Sequence, residues 1–219
     1  PSTISSSVAM TVLGRGDVPV AVFNATLSGL LGRVLTPALM SFAVSTGSVQ
    51  FSFVEAVINI AILLLLPFAV GQLVRPLIKT VLAARKRVVS FLDRGVILLI
   101  VFTSFATSTA GGIWTQFSAF EVTATVGVVL VLLALAFGVT IFTSRALGIA
   151  REDEVAIVFC GSTKSLANGA PIAQVLFAGS PLLGVILLPL MLYHQLQLIA
   201  CAVMAQRYAR QAELGEATH

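Results

Sequence analysis

The sequence predicts an all-α protein that crosses a membrane several times, and three observations carry that reading. Its 219 residues are 58% hydrophobic and 10% charged, with a mean hydropathy of +1.03, whereas a soluble domain holds about 25% charged residues. Four runs, 56–74, 95–120, 122–144 and 165–206, contain no Asp, Glu, Lys or Arg, and a spanning helix needs roughly 20 predominantly apolar residues. Finally, Lys and Arg fall in every second connection between the apolar runs, the pattern that membrane insertion imposes.

In chain order, a short helical piece is expected at 3–14, followed by helices at 17–45, 52–78, 95–113, 122–147, 154–177 and 181–208. The uncharged run 165–206 holds 42 residues, about twice the length a bilayer core accepts. It must therefore turn, and AGSPLLG at 178–184 supplies the Gly and Pro that break it. The turn at 14–17 carries Arg15. The stretch 75–94 carries Arg75, Lys79, Arg85, Lys86, Arg87 and Arg94, and is read as a loop that contacts anionic lipid. The connection 145–154 carries Arg145 and Arg151, and the C-terminal end carries Arg207 and Arg210. The intervening connections, 46–51, 113–121 and 178–181, have no basic residue. Basic loops stay on the cytoplasmic side, so the C-terminus is expected there, in a cell (inner) membrane. The pI near 9.6 is thus a matter of topology, and no nucleic-acid partner is expected. Cys160 and Cys201 fall within spans and read as buried small hydrophobes rather than disulfide halves.

Arg33 and Lys164 are the basic residues left inside spans. Arg33 is expected to snorkel or to pair with Glu55. Lys164 sits near the middle of its span, where a charge costs roughly 2.5–3.5 kcal/mol or more, and such a residue is a functional candidate. Its surroundings, FCGSTKSLANGAP at 159–171, are poor material for a straight lipid-facing helix. Ser162, Thr163, Ser165 and Asn168 are polar, and Pro171 removes a donor and disfavours helix at Ala170. The stretch is expected to be an interrupted helix lining a cavity, since freed backbone groups cannot face lipid. Freed carbonyls there can hold a cation, and half-helix N-termini attract anions.

The chain's opening echoes this stretch. Ser-Thr-Ile-Ser at 2–5 matches Ser-Thr-Lys-Ser at 162–165, which brings Ser5 into the candidate site. Matched interruptions in two halves are a sequence-level pointer to a transporter's binding site, and the span count places the two elements in opposite orientation. On the helix that follows, Asn24 and Ser28 share a face at i, i+4; with Thr26 they are candidates for lining the cavity or for bonding between helices. His194, Gln195 and Gln197 in the last span carry the same two alternatives, His194 being the one taken as a candidate.

These residues resemble the bile acid:sodium symporter family, most closely its SBF-like bacterial branch. STISSSVAMTVLGRGDVPVAVFNATLSGLLGRVLTP at 2–37, with its MT-x-L-x-RG turn, is similar to the family's fourth and fifth spans. FCGSTKSLANGAPIAQVLF is similar to its ninth and LYHQLQL at 192–198 to its tenth. The resemblance implies an inverted-repeat fold of ten spans, with the fourth and ninth broken and crossing at mid-membrane. Residues 1–51 would end the first repeat and 52–219 form the second, with 52–113 panel-like, 122–208 core-like and the first three spans absent. It also implies sodium ligands at positions that are here Phe159, Thr163, Ser7 and Val8, so the acidic anchor is missing. Lys164 stands where the family has a neutral Asn, as a fixed ammonium that replaces a cation, carries and releases a proton, or attracts an anion.

The expected function is a secondary transporter moving a small organic anion with Na⁺ or H⁺ as coupling ion; the other reading is a non-transporting membrane regulator on the same fold. An enzyme is not expected. Ser162 and Lys164 would be the nucleophile and base, but residues at i and i+2 of a helix do not face each other. No metal cluster, phosphate loop or nucleotide motif is present in the sequence, and no cofactor is implied.

Overall fold

A computed structural model describes residues 2–45, 62, 66–112, 115, 117–177 and 180–216. The described elements are helices: α1 (Ile4–Leu13), α2 (Val18–Ser45), α3 (Leu66–Ala84), α4 (Lys86–Ala110), α5 (Ala119–Ala146), α6 (Arg151–Ser162), α7 (Leu166–Leu176) and α8 (Leu183–Glu216). Arg87–Ala110, Ala119–Ala146 and Leu183–Leu214 are long and apolar enough to cross a membrane, while Ile4–Leu13 and Val18–Gly32 are shorter apolar helices. The all-α, multi-spanning expectation holds. The first part of the expected helix 52–78 lies outside the described residues, as do the side chain of Arg33 and residue Glu55.

Two expectations need correction. The stretch 75–94 is not an open loop: α3 runs to Ala84 and α4 starts at Lys86, with Arg85 as the turn between them. Lys, Arg, Ala and Leu are good helix formers, so a cluster of charge marks an exit from lipid without ending a helix. The span 154–177 is interrupted within 159–171 as expected, at Thr163–Ser165, but Ala170, where Pro171 disfavours helix, lies with Pro171 inside α7.

The chain forms two compact units. The first comprises Pro1–Gly32, Phe117–Leu166 and Leu188–His219, and the second Arg33–Gln116 and Ala167–Leu187. In the first unit α6 is the hub. Glu154, Val155, Ala156, Val158, Phe159, Cys160 and Ser162 are all buried, whereas α5 buries only Val129, Leu133 and Ser144 along 28 residues. A helix covered all round is held by protein, and one covered on a stripe leaves its other face for lipid. Val155, Val158 and Phe159 join Cys201, Ala205 and Tyr208 of α8 in one cluster. On another side Ala156 and Cys160 meet Ala21 and Ala25 of α2, small residues that let two helices approach closely. Both cysteines are free and buried, as expected.

The turn between α1 and α2 explains the MT-x-L-x-RG pattern. Arg15 N–H donates to Val12 O at 3.2 Å and Gly16 N–H to Thr11 O at 2.9 Å, the paired bonds of a Schellman ending. The left-handed position falls on Arg15, at φ 55°, although glycine tolerates it best. The flanking glycines are needed for closeness instead: a Cβ on Gly16 would lie 2.6 Å from Val155 Cγ1 and 2.9 Å from Thr11 Cγ2. Gly16→Ala is therefore expected to lower stability by about 1–3 kcal/mol, the usual cost of overpacking, read as a fall in Tm in detergent.

The polar end of the first unit gathers the basic turns. Arg15 pairs with Glu213 at 3.2 Å, and Asp17 N–H donates to Glu152 O at 2.9 Å. Arg145 Nε donates to Glu154 Oε2 at 3.2 Å, Tyr208 Oη donates to Glu154 Oε1 at 2.8 Å, and Arg151 donates to Tyr208 O. The turns at 14–17 and 145–154 and the end of α8 thus share one side, as the alternation of charge requires. In the second unit Ser108 of α4 donates to Pro181 O at 2.7 Å and accepts from Gly184 N–H at 3.1 Å, fixing the start of α8 against α4.

Candidate substrate and ion site

The site is built on the interruption after α6. Thr163–Ser165 leaves the helical conformation, with Thr163 extended at φ −81° and ψ 141°. Breaking a helix frees backbone groups that must find partners, and the side chains of Thr163 and α8 supply them. Gln197 of α8, fully buried, accepts from Lys164 N–H through Oε1 at 2.6 Å and donates from Nε2 to Lys164 O at 2.7 Å. Its side-chain amide therefore acts as a neighbouring peptide would in a sheet. Because Lys164 N–H is a donor, the orientation of that amide is fixed. The other Nε2 hydrogen is directed to His194 Nδ1 at 2.9 Å. Tyr193 Oη donates to Ser162 O at 2.8 Å. Ser162 Oγ donates back to Val158 O at 2.6 Å and Thr163 Oγ1 to Phe159 O at 2.9 Å.

The two S-T-x-S segments meet here. Thr3, like Thr163, has an extended backbone, at φ −89° and ψ 103°. Ser2 Oγ lies 2.9 Å from Thr163 Oγ1 and 3.0 Å from Ser7 Oγ, and Ser7 Oγ lies 2.8 Å from Thr163 Oγ1. Thr3 Oγ1 donates to Lys164 O at 3.1 Å. Residues about 160 positions apart in sequence thus form one buried hydroxyl cluster. Such a cluster is satisfied internally, which suits a place where water is scarce.

Beside it lies a cavity of about 450 Å³ lined by Ser2, Asn24, Ser28, Ile157, Cys160, Gly161 and Lys164. Lys164 is exposed toward it, with Nζ donating to Gly161 O at 2.8 Å and to Thr163 O at 3.4 Å. Ser28 Oγ accepts from Ser2 N–H at 3.2 Å. Among the described residues, no carboxylate lies within salt-bridge distance of Nζ and no His, Cys, Asp and Glu cluster suits a metal ion.

The structure sorts the candidates read from the sequence. It brings Ser7 and Thr163 into the hydroxyl cluster, Asn24 and Lys164 to the cavity, and Ser162 and Ser165 into buried positions at the break. His194 stands behind the break, within 3.2 Å of Lys164 O, rather than lining the cavity. Thr26 and Ser5 are exposed, and Thr26 Oγ1 donates to its own helix at Val22 O, 2.7 Å away. Thr26 is two residues from both Asn24 and Ser28, on the opposite side of α2. Asn168 belongs to α7, in the second unit, half-buried. Phe159, at an implied ligand position, is fully buried and stacks edge-on against Tyr208 at 6.2 Å, so it contributes packing.

Residues 1–210 match the SBF-like CPA transporter family over almost the entire chain. The chain belongs to that family. Among its relatives, an uncharacterised Pseudomonas aeruginosa protein is 44% identical over 97% of this chain and 64% of its own length. The Escherichia coli protein named "Putative symporter YfeH" is 42% identical over 97% of this chain and 64% of its own length. The Xenopus tropicalis "Sodium/bile acid cotransporter 7" is 32% identical over 93% and 60%. The chain thus spans about 60–64% of the length of these relatives. No solved structure matches it. In this member of the transporter family, the interrupted helix brings the Lys164 ammonium to the lining of the 450 Å³ cavity.

Proposed function

We propose that the protein is a secondary active transporter that moves a small organic anion by alternating access, coupled to Na⁺ or H⁺. The observation that carries this reading is the meeting of the two S-T-x-S segments beside a cavity presenting Lys164. Interrupted helices at matching positions are how transporters place polar backbone at membrane depth. The cavity is of small-molecule size. It offers one ammonium with neutral partners in Asn24, Ser2 and Ser28, a set that attracts a single negative charge and orients the polar atoms around it. Membership of a transporter family and the names of the E. coli and frog relatives support the class of activity.

The repeats are placed at 1–51 and 52–219, and the moving parts at 52–113 and 122–208. Since the basic turns share one end, that end with the C-terminus is assigned to the cytoplasmic side of the cell membrane. The test is uptake into proteoliposomes by the full-length protein, wild type against Lys164→Met, with imposed Na⁺ and H⁺ gradients and a panel of organic anions. Gradient-driven uptake reduced tenfold or more in the variant, at equal reconstitution, is the expected result. Absence of uptake under every gradient would replace this reading with that of a membrane regulator. Such a regulator would tolerate Lys164→Met and respond to charge reversal at Arg85–Arg87.

A further inference from the structure

We infer that Lys164 Nζ is a tethered cation: it occupies a position for a small monovalent cation formed by the main-chain carbonyls of Gly161 and Thr163, so no free cation is required there. The carbonyls at the end of a helix lack intrahelical partners and carry a partial negative charge of roughly half an electron. At the end of α6 these carbonyls are divided between two kinds of donor. Phe159 O and Ser162 O are met by the hydroxyls of Thr163 and Tyr193, which are neutral and buried. Gly161 O and Thr163 O instead receive Nζ, at 2.8 and 3.4 Å.

The ammonium is held in place by its own backbone. Lys164 N–H and O are both clamped by Gln197, so the side chain folds back three residues onto Gly161 O from a fixed origin. No described carboxylate neutralises it, and the opposing partners are carbonyl dipoles alone. A Na⁺ or a small alkylammonium would meet the same oxygens with the same charge. The positive charge left over faces the cavity with Asn24 and Ser28, available to an anion before any ion arrives from solution.

The consequence for uptake rests on the transport reading above; occupancy of the cation position does not, and two measurements separate them. The first is thermal unfolding of the full-length protein in detergent, in choline chloride, sodium chloride and methylammonium chloride at equal ionic strength. Wild type is expected to give the same Tm in all three. Lys164→Ala vacates the position and should lose roughly 2–4 °C in choline, regaining half or more in methylammonium or sodium. Lys164→Met, whose side chain fills the space without charge, should regain nothing. An equal salt response in all three proteins, or none in Lys164→Ala, overturns the inference. So does a wild type that is itself destabilised when sodium is replaced by choline, a result that needs no variant to fold.

The second measurement is uptake of the organic-anion panel with choline in place of sodium. Wild-type uptake unchanged by the replacement is expected. Uptake present but abolished without sodium overturns the tethered cation and leaves transport standing. A cation response confined to Lys164→Ala, with no uptake under any gradient, supports the cation position and overturns transport.

Discussion

Gln197→Met is expected to lower the stability of the protein by about 2–4 kcal/mol, although the two side chains are of similar size. A volume-conserving swap between buried residues normally costs less than about 1.5 kcal/mol, so packing does not account for the larger loss. The difference lies in the backbone of Lys164. Its N–H has Gln197 Oε1 as partner, at 2.6 Å in a half-buried position, and would be left unpaired beside the fully buried site of residue 197. Leaving a buried donor unsatisfied costs about 1–3 kcal/mol. Lys164 O fares better, because Thr3 Oγ1 remains 3.1 Å away. His194 loses the amide that donates to Nδ1 at 2.9 Å, which adds to the total. Denaturation in detergent measures the loss, with Gln195→Met as control. Gln195 is an exposed neighbour on the same helix, and exposed substitutions usually stay within about 0.5 kcal/mol. Equal losses from the two variants would show that the amide clamp holds nothing. If the protein transports as proposed above, the same variant should also abolish uptake, because an unclamped Thr163–Ser165 is free to rewind into helix and withdraw Nζ from Gly161 O.

Gln197 is also the clearest limit of the sequence. The interrupted helix was legible because small, hydroxyl-bearing and Gly residues in a span argue directly against a lipid-facing helix. The repeated S-T-x-S was legible because its two copies are short and alike, and the structure joins them through Ser2, Ser7 and Thr163. Asn24 followed from helical periodicity, which also separates it from Thr26. A lone glutamine in a span, by contrast, bonds between helices as readily as it lines a cavity. Only the register between α6 and α8 shows that it faces Lys164. A clamp of this kind could be suspected from chemistry: meeting the N–H and the C=O of one residue at once takes a donor and an acceptor side by side, and the planar amide of Gln or Asn carries them on separate atoms.

Local signals misled in two places for opposite reasons. Pro171 disfavours helix at Ala170, yet α7 continues through both. The interruption falls instead at Thr163–Ser165, where hydroxyls and the Gln197 amide supply replacement partners. A helix breaks where the freed groups are met, and proline only removes one of them. At 75–94 charge was read as loop, but charge sets which residues leave the lipid and says nothing against helix. Both cases show backbone satisfaction overriding residue type, as expected where water cannot serve as the default partner.

Removing Arg145 should cost markedly more than breaking the Arg15–Glu213 pair, though each arginine has a carboxylate at 3.2 Å. Arg15 and Glu213 are 43% and 61% exposed, and such a pair is worth about 0–1 kcal/mol; alanine at position 15 would keep the left-handed backbone strain. Glu154 is only 8% exposed while Arg145 is 62% exposed. Arg145→Ala therefore strands a buried carboxylate with the Tyr208 hydroxyl, at 2.8 Å, as its remaining side-chain donor among the described residues. Breaking a fully buried pair costs about 3–5 kcal/mol; with the arginine largely solvated, about 2–3 kcal/mol is expected here. The carboxylate, and not the pair, is what makes the loss large. Glu154→Leu combined with Tyr208→Phe and Arg145→Ala should for that reason recover most of what Arg145→Ala alone loses, since an apolar replacement leaves no charge to solvate. Unfolding midpoints of the single and triple variants decide it. If the triple variant is the least stable of the set, the Glu154 network stabilises the fold in its own right, and α6 is anchored at this end by charge more than by the Val155, Phe159 and Tyr208 contacts beneath it.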